Sequence, residues 1–346
     1  MEKLVNFAWG QASAAAEHLQ FERIACTLSV LAWFTFNITM GIVTKWTYLY
    51  GKVCFPAKDE CFTYDFPFML TGFHMFVSWM VCSVLLRMRR VRYTVLGFRE
   101  QVHRIAPLAM VFSGSVVMGN LSLRYIYPSF NQMLASISPL VTVLLSVVMQ
   151  RRRYNAWTWA SMPVICGGLC ICGSTEVNYN TLGVTFVVGA TTLRAAKSVM
   201  QEKLLDTREG KLDPVTLLYY QAPWAGSFLV CLSFFFEGSA PGKLLFNWAG
   251  DARTGVNRVL GLLVFSGLNA CFLNISGFSV TAHVGAVMLQ ILGNVKACVA
   301  IAVSAAVLGN PVTAAQVTGV LLCLMGVWVY QDKGGLRSKK TERAND

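Results

Sequence analysis

The stretch LGVTFVVGATTLRAAKSVM, residues 182–200, decides the fold. It is a predominantly apolar run, long enough to cross a bilayer core of ~30 Å as a helix of about 20 residues. Its Leu, Val, Ala and Gly follow one another without the apolar-polar alternation of ~10-residue barrel strands. It also carries two cations, Arg194 and Lys197, and no carboxylate.

Working outward, nine further runs of the same kind are read, at 24–44, 66–86, 105–123, 130–149, 157–174, 215–236, 259–280, 284–308 and 312–330. With 55% hydrophobic and only 13% charged residues the chain lies outside the range of soluble domains. The expectation is an all-α polytopic membrane protein of ten transmembrane helices. Residues 1–22 lack a basic start, apolar core and small-residue cleavage site, so the run at 24–44 is expected to be the first anchor.

Charge fixes the expected orientation. Loop and tail segments at 87–104, 151–153, 203–211 and 333–343, together with Lys3 and Arg23, hold nineteen of the twenty-nine basic residues, and the opposite side holds six. Both termini are therefore expected in the cytosol. The net charge of +12 is topological and calls for no nucleic-acid partner, which needs a contiguous basic face on a soluble domain.

The remaining four cations, Lys45, Arg194, Lys197 and Lys296, fall within or at the mouth of spans. A charge at the bilayer centre costs a few kcal/mol unless paired or hydrated. No acidic side chain lies at matching depth, because Glu202 is at a span end. A water-filled cavity with an anionic ligand, phosphate above all, would offset that cost. Arg194 and Lys197, three apart, share a helix face that Gln201 extends. Lys45, at a span end, has snorkelling to the interface as its alternative.

No catalytic or metal-binding constellation is legible among the four histidines and eleven cysteines, so no enzyme activity and no cofactor is expected. Cys54 and Cys61 fall in the first non-cytosolic loop, where an oxidising lumen allows them to pair. Gly293 and Ala297, and Ala302 and Ala306, have the small-xxx-small spacing of close helix packing. Asn37, Asn120 and Asn274 match the glycosylation pattern inside spans, where no sugar is expected.

Ten spans divide into two fives, and an odd number gives the halves opposite orientation, an inverted repeat with its site near the midplane. The fourth and ninth spans are then equivalent, and both are polar: Asn131, Gln132, Ser136, Ser138 and Thr142 in one, Gln290, Asn294 and Lys296 in the other. On a helical wheel Gln290 and Asn294 lie well over 90° from Lys296, so the three are not expected to meet at one point.

Several stretches carry a resemblance from about Ile24 to Tyr330. Gly119-Asn-Leu-Ser-Leu-Arg124 is followed by Pro128-Ser-Phe-Asn-Gln132 and Ser138-Pro139. Leu193-Arg-Ala-Ala-Lys-Ser-Val-Met-Gln201 precedes Leu218-Tyr-Tyr-Gln-Ala-Pro223, and Gly293-Asn-Val-Lys296 precedes Asn310-Pro311. In these the chain resembles the triose-phosphate and nucleotide-sugar translocators of the drug/metabolite transporter superfamily, closest to the orphan solute-carrier and plant Golgi branch.

The resemblance implies exchange of a nucleotide sugar or sugar phosphate for a nucleoside monophosphate or phosphate in a Golgi or endoplasmic reticulum membrane. It implies a domain over 24–331, with halves at 24–174 and 182–331, between a cytosolic segment (1–23) and a basic tail (332–346). The expected substrate-binding set is Lys45, Gln132, Arg194, Lys197, Tyr220, Asn294 and Lys296, with Tyr220 beside the sugar or base; a homodimer stays open. The chain departs from plastid members at Ala135 and Ala297, where they carry cations, and from GDP-mannose carriers at Gln221-Ala222, where those have an Asn pair. The rival expectation, a non-transporting scaffold or regulator with the same fold, gains nothing from three deep cations.

Overall fold

The computed structural model describes residues 2–55, 60–88, 93–173, 180–206, 212–241, 253–308 and 313–335. In chain order the longer helices are α1 (Glu2–Tyr50), α2 (Pro67–Arg87), α3 (Ala106–Ser122), α4 (Pro128–Ala135), α5 (Ser138–Gln150), α6 (Ala156–Gly173), α7 (Thr181–Leu205), α8 (Pro214–Phe236), α9 (Arg253–Leu308) and α10 (Ala314–Val329). Polar side chains mark several starts. Asn180 accepts from Gly183 N, Asp213 accepts from Val215 N, and Thr313 and Gln316 form a capping box. The start of α2 is capped from far along the chain, since the Glu237 carboxylate accepts from Phe68 N at 2.7 Å and Met69 N at 3.0 Å.

Among the described residues seven helical stretches are long and apolar enough to cross a membrane. One of them, Val259–Val299, has 41 residues. That is about 60 Å of helix, twice a bilayer core. It breaks at Gly285, whose φ of 87° and ψ of 170° lie in a region essentially reserved for glycine. A Cβ there would also lie 2.5 Å from Glu202 Oε1, so α7 and the α9 break can meet only at a residue without a side chain. The 25-residue α7 is absent from the seven, and it is the helix that carries Arg194 and Lys197. Large apolar side chains such as Leu31, Phe76, Met110 and Val148 stand exposed along the helices, as lipid-facing surface requires.

Three expectations are corrected. The run at 130–149 forms one candidate span but not one continuous helix: α4 and α5 are separated at Ser136 and Ile137. Pro139 has no N–H to donate to the Ala135 carbonyl, which opens the turn. The helix read from 24 runs without interruption from Glu2 to Tyr50. The chain is also not wholly helical, because Lys52–Phe55 and Glu60–Thr63 pair as an antiparallel hairpin.

That hairpin sets Cys54 directly opposite Cys61. Tyr64 N donates to Gly51 O at 2.8 Å, so alternation along the ladder makes Cys54 and Cys61 a non-hydrogen-bonded pair. Such pairs have Cα atoms ~4.5 Å apart, within the range a disulfide spans. Peptide mapping under non-reducing conditions is expected to recover them as one linked species. Both as free thiols in protein kept oxidised throughout would refute the pairing.

Helices pack as α6 with α10, α2 with α8, α1 with α9, and α3 and α5 with α7. At the α6–α10 seam the backbones approach closely: a Cβ at Gly168 would lie 2.6 Å from both Cys323 N and Gly319 O. Without a hydrophobic drive between helices in lipid, such backbone approach supplies the packing energy.

Candidate functional site

A cavity of about 430 Å³ opens between α1, α4, α5, α7 and both parts of α9. This volume falls in the usual range for small-molecule sites. From α7 it receives Arg194, Lys197, Ser198 and Gln201, whose spacing of three, four and seven puts them on one helix face. The broken α4–α5 segment supplies Gln132, Ala135 and Ser138. Interrupted helices at a cavity are a recurrent way to bring polar groups to a membrane-embedded site.

The three deep cations converge here. Arg194 lies mid-helix yet stays solvent-accessible, because its side chain faces the cavity. Among the described residues its guanidinium makes no hydrogen bond or ion pair. The Lys197 ammonium lies over the ring faces of Phe112, at 4.6 Å, and Phe278, at 5.8 Å, and makes no hydrogen bond within the same set. Lys296 Nζ donates to Asn37 Oδ1 at 2.6 Å. The cavity thus brings three like charges together. Among the described residues no Asp or Glu lines it. The nearby Glu202 is buried in an ion pair with Arg152 at 2.8 Å.

Gln290, Asn294 and Lys296 all reach this cavity, which corrects the helical-wheel expectation. Leu289, Gln290, Gly293, Asn294 and Lys296 occupy an arc of about 160° centred near Gly293. Nothing lies within 4 Å of where a Gly293 Cβ would be. The glycine therefore faces open cavity instead of packing against a helix, and the lack of a side chain lets the cavity wrap that far round α9. Gln290 and Asn294 also tie helices together: Gln290 Nε2 donates to Ser198 Oγ at 2.6 Å, and Asn294 Nδ2 to Ser136 O, at the α4–α5 break, at 2.9 Å.

Of the seven residues expected at the site, Gln132, Arg194, Lys197, Asn294 and Lys296 line the cavity, and Lys45 and Tyr220 do not. Lys45 is exposed near the end of α1, consistent with snorkelling. Tyr220 is buried against the segment before α3: its hydroxyl meets Tyr93 Oη at 2.9 Å, accepts from Leu96 N at 3.0 Å and donates to Thr94 O at 3.3 Å. The hydrogen bond with Tyr220 pushes the Tyr93 phenol up to about 12. Tyr220 anchors a loop.

Sequence reasoning overlooked Trp33, Asn37 and Asn274 as cavity residues. In the sequence Asn37 and Asn274 stand out only as matches to the glycosylation pattern inside spans, where no sugar is expected. The available signal was a lone amide inside an otherwise apolar span, which needs a polar neighbour or water as much as a charge does.

The sequence pattern of the Triose-phosphate Transporter family matches residues 24–331. A probable sugar phosphate/phosphate translocator of Arabidopsis thaliana is 31% identical over 88% of this chain and 93% of its own length. The GDP-mannose transporter GONST5 of the same plant is 29% identical over 90% of this chain and 86% of its own. Solute carrier family 35 member E4 of Homo sapiens is 27% identical over 90% and 81%. A solved crystal structure shares the fold at a TM-score of 0.59 and 15% identity, over 93% of this chain and 99% of that one. A cation-lined cavity within a bundle of apolar helices is thus set in a sequence of transporter rather than enzyme descent, and the chain belongs to the Triose-phosphate Transporter family.

Proposed function

We propose that this protein exchanges a phosphorylated sugar, a nucleotide sugar before a simple sugar phosphate, for a nucleoside monophosphate or phosphate across a Golgi or endoplasmic reticulum membrane. In this reading the helices make ten crossings as two inverted halves, with both termini in the cytosol. One observation carries it: the Arg194 fork and the Lys197 ammonium line a cavity with no protein acceptor for their donors among the described residues. Phosphate oxygens supply both the acceptors and the charge, and a guanidinium binds them two at a time. Relatives named as sugar phosphate/phosphate translocators and nucleotide-sugar transporters support the same class.

A ligand present at 100 times its Kd and bound only to the folded state adds about 2.7 kcal/mol of stability. Thermal-shift measurements on purified protein are therefore expected to show stabilisation by members of a panel of nucleotide sugars, nucleoside monophosphates and sugar phosphates, and none by unphosphorylated sugars. Silence across the phosphate panel would favour the scaffold reading. A tag on either terminus is expected to be accessible when only the plasma membrane is permeabilised; a lumenal tag overturns the orientation.

A further inference from the structure

Lys296 is held differently from the other two cavity cations. Its Nζ donates to Asn37 Oδ1 at 2.6 Å, and both residues line the cavity. Asn37 lies on α1 and Lys296 on the part of α9 beyond the Gly285 break, while within a turn of Asn37 the α1 helix is pinned to the part of α9 before that break. Thr39 Oγ1 donates to Asn269 Oδ1 at 2.8 Å, Asn269 Nδ2 donates to Phe36 O at 3.1 Å, and the Phe36 and Phe272 rings stack at 5.4 Å. This seam fixes the position of Asn37, and through it the direction of the ammonium.

The partner is an amide, although a carboxylate makes the stronger bond to an ammonium. An amide oxygen occupies one of the three ammonium donors and leaves the full positive charge and the other two. A carboxylate at the same place would cancel the charge before any ligand arrived. We infer that Asn37 is the positioning residue of the anion site: it aims Lys296 into the cavity and, being neutral, reserves the lysine's charge for the ligand. The inference rests on the cavity being a phosphate site.

Asn37→Asp changes the charge of the partner with almost no change in shape, and Asn37→Ala removes the partner while leaving the lysine charged. Affinities for inorganic phosphate and uridine monophosphate, measured by thermal shift on the purified full chain, separate these effects. The Asp variant is expected to be as stable as the parent or more so, and to lose affinity by about tenfold or more, the scale of one charge-assisted hydrogen bond. The Ala variant is expected to lose less. Parental affinity in the Asp variant overturns the inference, as do equal losses in both variants, because a merely structural role does not distinguish a charge from a missing contact. If the Asp variant fails to fold, Asn37→Ala decides alone, and parental affinity there overturns the inference. If the parent protein responds to no phosphate compound while remaining folded, the phosphate site itself is refuted and the role of Asn37 with it.

Discussion

Lys197→Ala and Lys296→Ala are each expected to abolish exchange in proteoliposomes while leaving the protein folded and correctly localised. Each removes a cation that lines the cavity and, among the described residues, has no carboxylate beside it. A phosphate would lose a charge-assisted hydrogen bond of about 1.5–3 kcal/mol, one to two decades in affinity. Stability moves little or the other way. Taking a charge out of the membrane relieves an insertion cost of a few kcal/mol. Against this, Lys197→Ala gives up its ring contact with Phe112, about 0.5–2 kcal/mol. Lys296→Ala leaves Asn37 Oδ1 without its donor, a loss of about 1.5–3 kcal/mol on the scale of a hydrogen bond to a charged group. Lysine to arginine is expected to restore function only in part, since the wider planar fork needs different geometry. Parental rate and affinity in both alanine variants would remove these lysines from the mechanism.

Gly293→Leu is expected to abolish ligand binding while raising thermal stability. Gly293 lies near the centre of the cavity-lining arc of α9, with nothing within 4 Å of its Cβ position, so the new side chain meets open space. Glycine within a helix costs about 0.8–1 kcal/mol relative to alanine, and leucine recovers most of that. The same side chain occupies the volume between Arg194, Lys197 and Lys296 that an anion needs. Opposite signs for stability and binding distinguish this from general damage, in which both fall. The measurements are the melting temperature and the phosphate-induced shift. A Gly293→Leu protein that binds as the parent does would mean that the ligand lies elsewhere.

The membrane class of this chain was legible because hydropathy is a local property, readable in stretches such as 66–86 and 259–280. The shared face of Arg194 and Lys197 was equally local, since helix geometry alone puts residues three apart on one side. Family membership followed from short motifs spread over nearly the whole chain.

Only tertiary structure decided which face of each helix meets lipid and which meets the cavity. In a soluble protein the apolar face marks the inside, but lipid and packed interior are both apolar, so on a span without a cation a lone amide such as Asn37 is the local trace of the cavity side. The helical wheel separated Lys296 from Gln290 and Asn294, yet the cavity curves round Gly293 and admits all three. Tyr220 lies in a segment resembling a substrate-binding stretch, and the loop at 93–96 claims its hydroxyl. The sequence by itself determined that the chain is a bundle of apolar helices carrying costly cations. Tertiary structure decided that three of those cations share one cavity and that a neutral amide holds one of them, because convergence depends on how separate helices are rotated against each other, which no single segment encodes.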